Sequence, residues 1–132
     1  MKKIPSIFVR DHASAGAPYL PTVTPGCEWV LEGEGVATRK WDGTAVLVRD
    51  GQLYARYDAK HGKVPPPGFE PCQEPDEKTG HWPGWVPADR PQDKWIREAA
   101  AVAGWPWRGV PLGNGTYEAI GPRIGANPEG LP

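Results

Sequence analysis

The sequence predicts an α+β domain built on antiparallel strands, and three observations predict it. The first is a pair of β-rich runs, Thr44-Ala45-Val46-Leu47-Val48-Arg49 and Gln52-Leu53-Tyr54-Ala55-Arg56-Tyr57, separated by Asp50-Gly51. Asp-Gly between such runs specifies a tight hairpin, because that turn needs positive φ at both central positions. The second is a helical pattern over 91–103: Pro91 suits a first helical position, Trp95, Ile96, Ala99, Ala100 and Ala103 form an apolar stripe, and Gly104 supplies a stop. The third is Gly115-Thr116-Tyr117-Glu118-Ala119-Ile120-Gly121, which reads as a strand ending in glycine.

The remaining chain reads more coarsely. Residues 27–31 are a short apolar-rich run, and Glu32-Gly33-Glu34-Gly35 is a turn. Residues 64–87 are rich in Pro and Gly, with Trp82 and Trp85 embedded, and read as a long packed surface loop. Residues 122–132 read as loop. A length of 132 residues suits one domain with one modest core. The 17 Gly and 17 Pro punctuate apolar runs rather than repeat, and seven Trp argue against disorder. Core packing is the expected use of most of these Trp.

A net charge of −1 gives no global pull toward nucleic acid, but its distribution is uneven. Residues 39–63 carry six Lys/Arg against three Asp/Glu, whereas 64–94 carry three against six. A local basic segment in a near-neutral chain suits a phosphate pocket, and equally a solvated basic face. Cys27 and Cys72 have neither CxxC spacing nor His at ligand intervals, which argues against structural zinc and against a disulfide framework. The N-terminal apolar stretch is short and broken by Pro5, and no run approaches membrane-spanning length, so a cytoplasmic protein without a membrane partner is expected.

Lys40-Trp41-Asp42-Gly43 stands immediately before the hairpin. A lysine that attacks the α-phosphorus of a nucleotide must be neutral, which desolvation, neighbouring cations or a metal can bring about. A carboxylate two residues on can orient the amine, and the glycine lets the backbone approach phosphates and turn into a strand. By itself such a lysine is equally a surface lysine beside a turn.

The order of further blocks carries a resemblance. Phe8-Val9-Arg10-Asp11, Ala37-Thr38-Arg39-Lys40-Trp41-Asp42-Gly43-Thr44, Tyr54-Ala55-Arg56, Tyr117-Glu118-Ala119-Ile120-Gly121-Pro122 and Gly125-Ala126-Asn127-Pro128-Glu129-Gly130 resemble, in that order, the ATP-dependent 5′–3′ RNA ligases of the covalent nucleotidyltransferase superfamily. The resemblance implies an antiparallel adenylylation domain over 1–132, with ATP and Mg²⁺ as cofactors and RNA 5′-phosphate and 3′-hydroxyl ends as partners. It implies that Lys40 forms the lysyl-AMP, with Asp42 as supporting acid and Gly43 at the nucleotide. It also implies that Arg56 contacts ribose or phosphate and that Glu118 accepts from the ribose hydroxyls. Lys60, His61 and Lys63 form a solvated face or extend the phosphate pocket toward pyrophosphate or the RNA 5′-phosphate, and Trp41, Trp82 or Trp85 could stack on adenine or an RNA base.

The family's later metal-binding glutamate motif and its lysine pair have no counterpart, since no lysine follows Lys94. Glu34-Gly35-Val36 is in the wrong order, and Pro132 spoils Glu129-Gly130-Leu131. The expectation is a truncated or split form, with the metal ligands beyond Pro132 or on a second polypeptide, and little sealing by this chain alone. A DNA ligase, a capping-type nucleotidyltransferase and a catalytically inactive nucleotide- or RNA-binding module remain as alternatives.

Overall fold

The structure is a computed structural model that describes residues 4–77, 79–104 and 112–132. It divides the chain into two compact units, 1–39 and 40–132.

In the first unit, β1 (Phe8–Arg10) pairs antiparallel with β2 (Tyr19–Val23), Phe8 opposite Val23 and Arg10 opposite Tyr19, with an irregularity between. The turn joining them is held by Asp11. Its carboxylate accepts from the Ala13 N–H at 2.9 Å and the Ser14 hydroxyl at 2.6 Å, bonds that lower its pKa, Ser14 contributing most. The apolar run at 27–31 forms a one-turn helix, α1 (Glu28–Leu31), beside the buried Cys27.

Among the described residues the second unit carries an antiparallel sheet of five strands. Their chain order is β3 (Thr44–Arg49), β4 (Gln52–Ala59), β5 (Glu70–Pro71), β6 (Trp82–Pro87) and β7 (Gly115–Ala119), and their spatial order is β5-β6-β4-β3-β7. The Asp50-Gly51 hairpin forms as the sequence specifies, with φ of 50° and 73°. Asp50 also donates its N–H to Asn114 Oδ1 at 2.8 Å and accepts from Asn114 Nδ2 at 3.0 Å, which ties the turn to the entry of β7.

The 64–87 segment is the main correction to the sequence reading, because it supplies two strands rather than a loop. β6 pairs with β4 from Trp82–Ala59 to Pro87–Tyr54 and with the two-residue β5 on its other side. Pro83 and Pro87 fit because β5 is too short to demand a full ladder of donors. Gly84 is required, since a Cβ there would collide with the Glu70 carbonyl oxygen and the Phe69 ring.

The helical pattern at 91–103 resolves into a 3-10 turn at Pro91–Asp93 followed by α2 (Lys94–Val102). Asp93 is buried and accepts Arg90 Nε at 2.7 Å and Nη2 at 2.8 Å, a fork-to-carboxylate pair that raises the Arg90 pKa. The packed stripe of α2 is Ile96, Ala99 and Ala100. Trp95 lies outside it at 36% exposure, with Lys94 Nζ 4.6 Å and Arg123 Cζ 5.7 Å from its ring. Ala103 is exposed too, so the stripe is narrower than the sequence pattern suggests.

Alternation along the strands sends Val46, Val48, Leu53, Ala55, Val86 and Ala119 to one face, where they form the core with Ala88, Ala100 and Ile124. Of the five described Trp, only Trp85 is buried; Trp29, Trp41 and Trp95 are exposed and Trp82 is half-buried, contrary to the expectation of core packing for most. Trp105 and Trp107 lie outside the described residues.

Candidate nucleotide site on the open sheet face

The strand register aligns chemistry on the face opposite α2. Ala45 of β3 stands opposite Glu118 of β7, and Arg56 of β4 stands opposite Trp85 of β6. One step beyond the Val46–Ala55 pair, Ala45 neighbours Arg56. Glu118, Ala45, Arg56 and Trp85 therefore form one row across four strands. Strands lie about 4.8 Å apart, so the Glu118 and Arg56 backbones are separated by roughly 10 Å, with only a methyl group between them. Ala45 is a half-buried, shallow floor between an acceptor and a cation.

Residues 40–43, Lys40 to Gly43, lead into β3, and the Gly43 backbone meets this row at Glu118. Gly43 fits for a reason the sequence did not supply: a side chain there would collide with the Ala119 carbonyl oxygen. Its N–H donates to Glu118 Oε1 at 3.1 Å, and the Asp42 N–H donates to Glu129 Oε1 at 2.7 Å. The lysine-bearing loop and the Glu118 strand, 75 residues apart in sequence, thus meet directly. Lys40 itself is exposed, and its amine donates to the Trp41 carbonyl at 3.5 Å.

Arg56 is held from two sides. Its guanidinium lies 5.2 Å from the Trp85 ring centroid, and Nη1 donates to Cys72 Sγ at 3.0 Å. Sequence reasoning missed Cys72 and took Trp85 only as a base-stacking candidate, not as a partner of Arg56, because both come from the segment read as loop. Arg49 closes the other end of this face. It lies 4.8 Å from the Tyr54 ring centroid and grips both oxygens of Glu70, at 2.8 and 2.9 Å. Side-chain hydrogen bonding to Arg49 lowers the Glu70 pKa, and bonding to Glu70 raises that of Arg49.

Of the aromatic candidates, Trp85 is 5% exposed with the Arg56 guanidinium at its ring, and Trp82 packs edge-on against Phe69 at 5.2 Å while its Nε1 donates to the Gln73 carbonyl. Both rings are thus taken up by packing, whereas Trp41, beside Lys40, is 42% exposed. Lys60, His61 and Lys63 lie in the exposed turn after β4. β4 ends where β3 begins, so they share the Lys40 end of the sheet, along with a His81–Asp58 pair at 2.8 Å.

Among the described residues no cluster of three or more His, Cys, Asp or Glu could hold a metal ion, and none of their helices is long and apolar enough to cross a membrane. Cys27 and Cys72 are not joined by a disulfide. No protein family matches the chain, and no curated protein matches it.

Proposed function

We propose that the 40–132 unit is the nucleotide-binding and lysine-bearing part of an ATP-dependent RNA ligase, on an adenylylation-type fold. The observation that carries this reading is the junction of the Lys40-x-Asp42-Gly43 loop with Glu118, together with Arg56 two strands away across Ala45.

In this reading the adenosine lies over Ala45. Glu118 has one oxygen on Gly43, and a carboxylate has lone pairs to spare for a ribose hydroxyl. Arg56, steadied by Trp85 and Cys72, meets ribose or phosphate. Lys40 Nζ attacks the α-phosphorus: an N–P bond forms, the bond to pyrophosphate breaks, and the amine's proton passes to solvent. AMP then moves to an RNA 5′-phosphate, and a 3′-hydroxyl displaces it to seal the strand. In this reading Lys60 and Lys63, exposed in the turn after β4, meet that 5′-phosphate. Magnesium implied by the resemblance finds no three-ligand cluster among the described residues, so no step is routed through it.

The exposure of Lys40 and the lack of such a cluster favour a second reading, a nucleotide- or RNA-binding module that makes no adduct. The two readings separate in one experiment. The chain is incubated with labelled ATP or GTP, freed of nucleotide and chased with 5′-phosphorylated RNA or DNA. The ligase reading expects ATP-derived label on the protein and its transfer as AMP to RNA; saturable ATP binding without label supports the binding module. Label from GTP or transfer to DNA would move the assignment to a capping-type enzyme or a DNA ligase.

A further inference from the structure

The Lys40 loop is also gripped by a residue for which the motifs provide no role. The Asp42 N–H ends on Glu129 at 2.7 Å, across 87 residues of chain, a length typical of an amide donating to an ionised carboxylate. The next N–H, that of Gly43, ends on Glu118. Successive amides of one loop are thus taken by two different carboxylates from one stretch of chain.

The segment carrying Glu129 is folded to present it. Ile124 anchors it in the core at 6% exposure. The Asn127 N–H donates to the Ile124 carbonyl at 2.8 Å, and the Gly130 N–H donates to the Asn127 carbonyl at 3.1 Å. The Asn127 side chain closes the following turn in both directions: Nδ2 donates to the Leu131 carbonyl at 2.8 Å, and the Leu131 N–H donates to Oδ1 at 2.9 Å. Ala126 and Asn127 both hold left-handed backbone, φ 59° and 57°. An asparagine tolerates that conformation; an alanine is strained in it, and such strain persists where the surroundings over-determine the geometry. Gly125 neighbours Gly43, and an added Cβ would be in ordinary van der Waals contact with the Gly43 carbonyl oxygen, at 3.8 Å.

We propose that Glu129 is a positioning residue, fixing the Lys40–Gly43 loop through the Asp42 amide so that the lysine amine can line up with the departing pyrophosphate. The proposal rests on the nucleotidyl-transfer reading above. Glu129 acts through the backbone and touches no nucleotide atom, which separates it from Glu118. Its loss affects the rate of adduct formation and not the affinity for ATP.

The test uses the full chain carrying Glu129→Ala or Glu129→Gln, with two readouts. In the first, amide hydrogen exchange at Asp42 is expected to quicken about tenfold or more in Glu129→Ala, with β3 and β4 unchanged, because a locally released amide opens without global unfolding. In the second, single-turnover lysyl-AMP formation slows on the order of ten- to a hundredfold with an unchanged ATP KM, the scale expected of a small misplacement of reacting groups. Glu129→Gln keeps a carbonyl oxygen that accepts from the Asp42 N–H, and it should restore most of the rate. If Glu129→Ala does not fold, Glu129→Asp, too short to reach, takes its place. Unchanged exchange at Asp42 would overturn the clamp, and faster exchange with an unchanged rate would overturn its role in the reaction. A wild-type chain that forms no adduct, yet whose Asp42 amide is freed by the substitution, would remove the transfer reading and leave the clamp standing.

Discussion

The two faces of the five-stranded sheet come from the same strands, yet they are built to opposite rules. On one face Val46, Val48, Ala55 and Val86 pack under Ile96, Ala99 and Ala100 of α2. On the other, displaced by one residue along each strand, stand Glu118, Ala45, Arg56 and Trp85. The first face consists of close-packed aliphatic residues, for which water exclusion is the main gain. The second carries an acceptor, a gap and a cation that meets an aromatic ring and a sulfur atom. A strand has period two, so a single register serves both faces, and a one-residue slip would exchange them. Substitutions on one face should therefore act on stability and on the other on the proposed nucleotide binding, which gives ways to break or sharpen the comparison.

The largest effect is expected on the packed face. Val86 is 0% exposed, and Val86→Asp buries an unpaired charge in the core at a cost of more than about 4 kcal/mol. Urea unfolding followed by Trp fluorescence should find the variant mostly unfolded without denaturant. A stable, cooperatively folded Val86→Asp protein would contradict the assignment of that face as core.

Next in size is Glu118→Ala, on the open face. It removes a charged acceptor and should weaken ATP binding by roughly 1.5–3 kcal/mol while the fold persists. Calorimetry with ATP measures the loss, and Glu118→Gln, which can still accept from Gly43, separates the ribose contact from support of the loop. Ala45→Leu should act on the same equilibrium by filling the floor of the row, weakening ATP by about tenfold, or roughly 1.4 kcal/mol. Its melting temperature should remain near wild type, because this side chain points away from α2 and the core. An unfolded variant would show that the open face is packed after all.

The smallest effect concerns the Arg49–Glu70 strap, whose side chains are 41% and 46% exposed. The Glu70 pKa is lower folded than unfolded, so the pair stabilises at neutral pH, and that contribution fades as pH falls through the ordinary carboxylate range. Glu70→Gln should therefore lower stability slightly at pH 7 and leave it equal to wild type in acid. A difference that grows on acidification would reverse the sign of this account.

The parts legible in sequence were those with local signals. Asp50-Gly51 fixed its hairpin through turn chemistry, and Pro91 with the 96–100 spacing located the helix. β7 followed from its β-rich run. β6 was not legible, because Trp82-Pro83-Gly84-Trp85-Val86-Pro87 contains three residues that normally break strands, and their reasons for being there are tertiary: a very short neighbour in β5 and the Phe69 ring over Gly84. For the candidate site, Lys40, Gly43 and Glu118 stood in recognisable motifs, and the structure joins the loop to Glu118. The partners Cys72, Trp85 and Glu129 are long-range contacts across 16, 29 and 87 residues, and no periodicity or turn rule encodes such pairs.

The central claim is that the open face holds a nucleotide for Lys40 to attack. The most direct measurement incubates the wild-type chain and Lys40→Ala with ATP, digests both, and locates any acid-labile AMP adduct by peptide mass spectrometry. The account predicts one adduct, on the peptide containing Lys40, and none in Lys40→Ala. An adduct on another lysine, or one that survives Lys40→Ala, would contradict it.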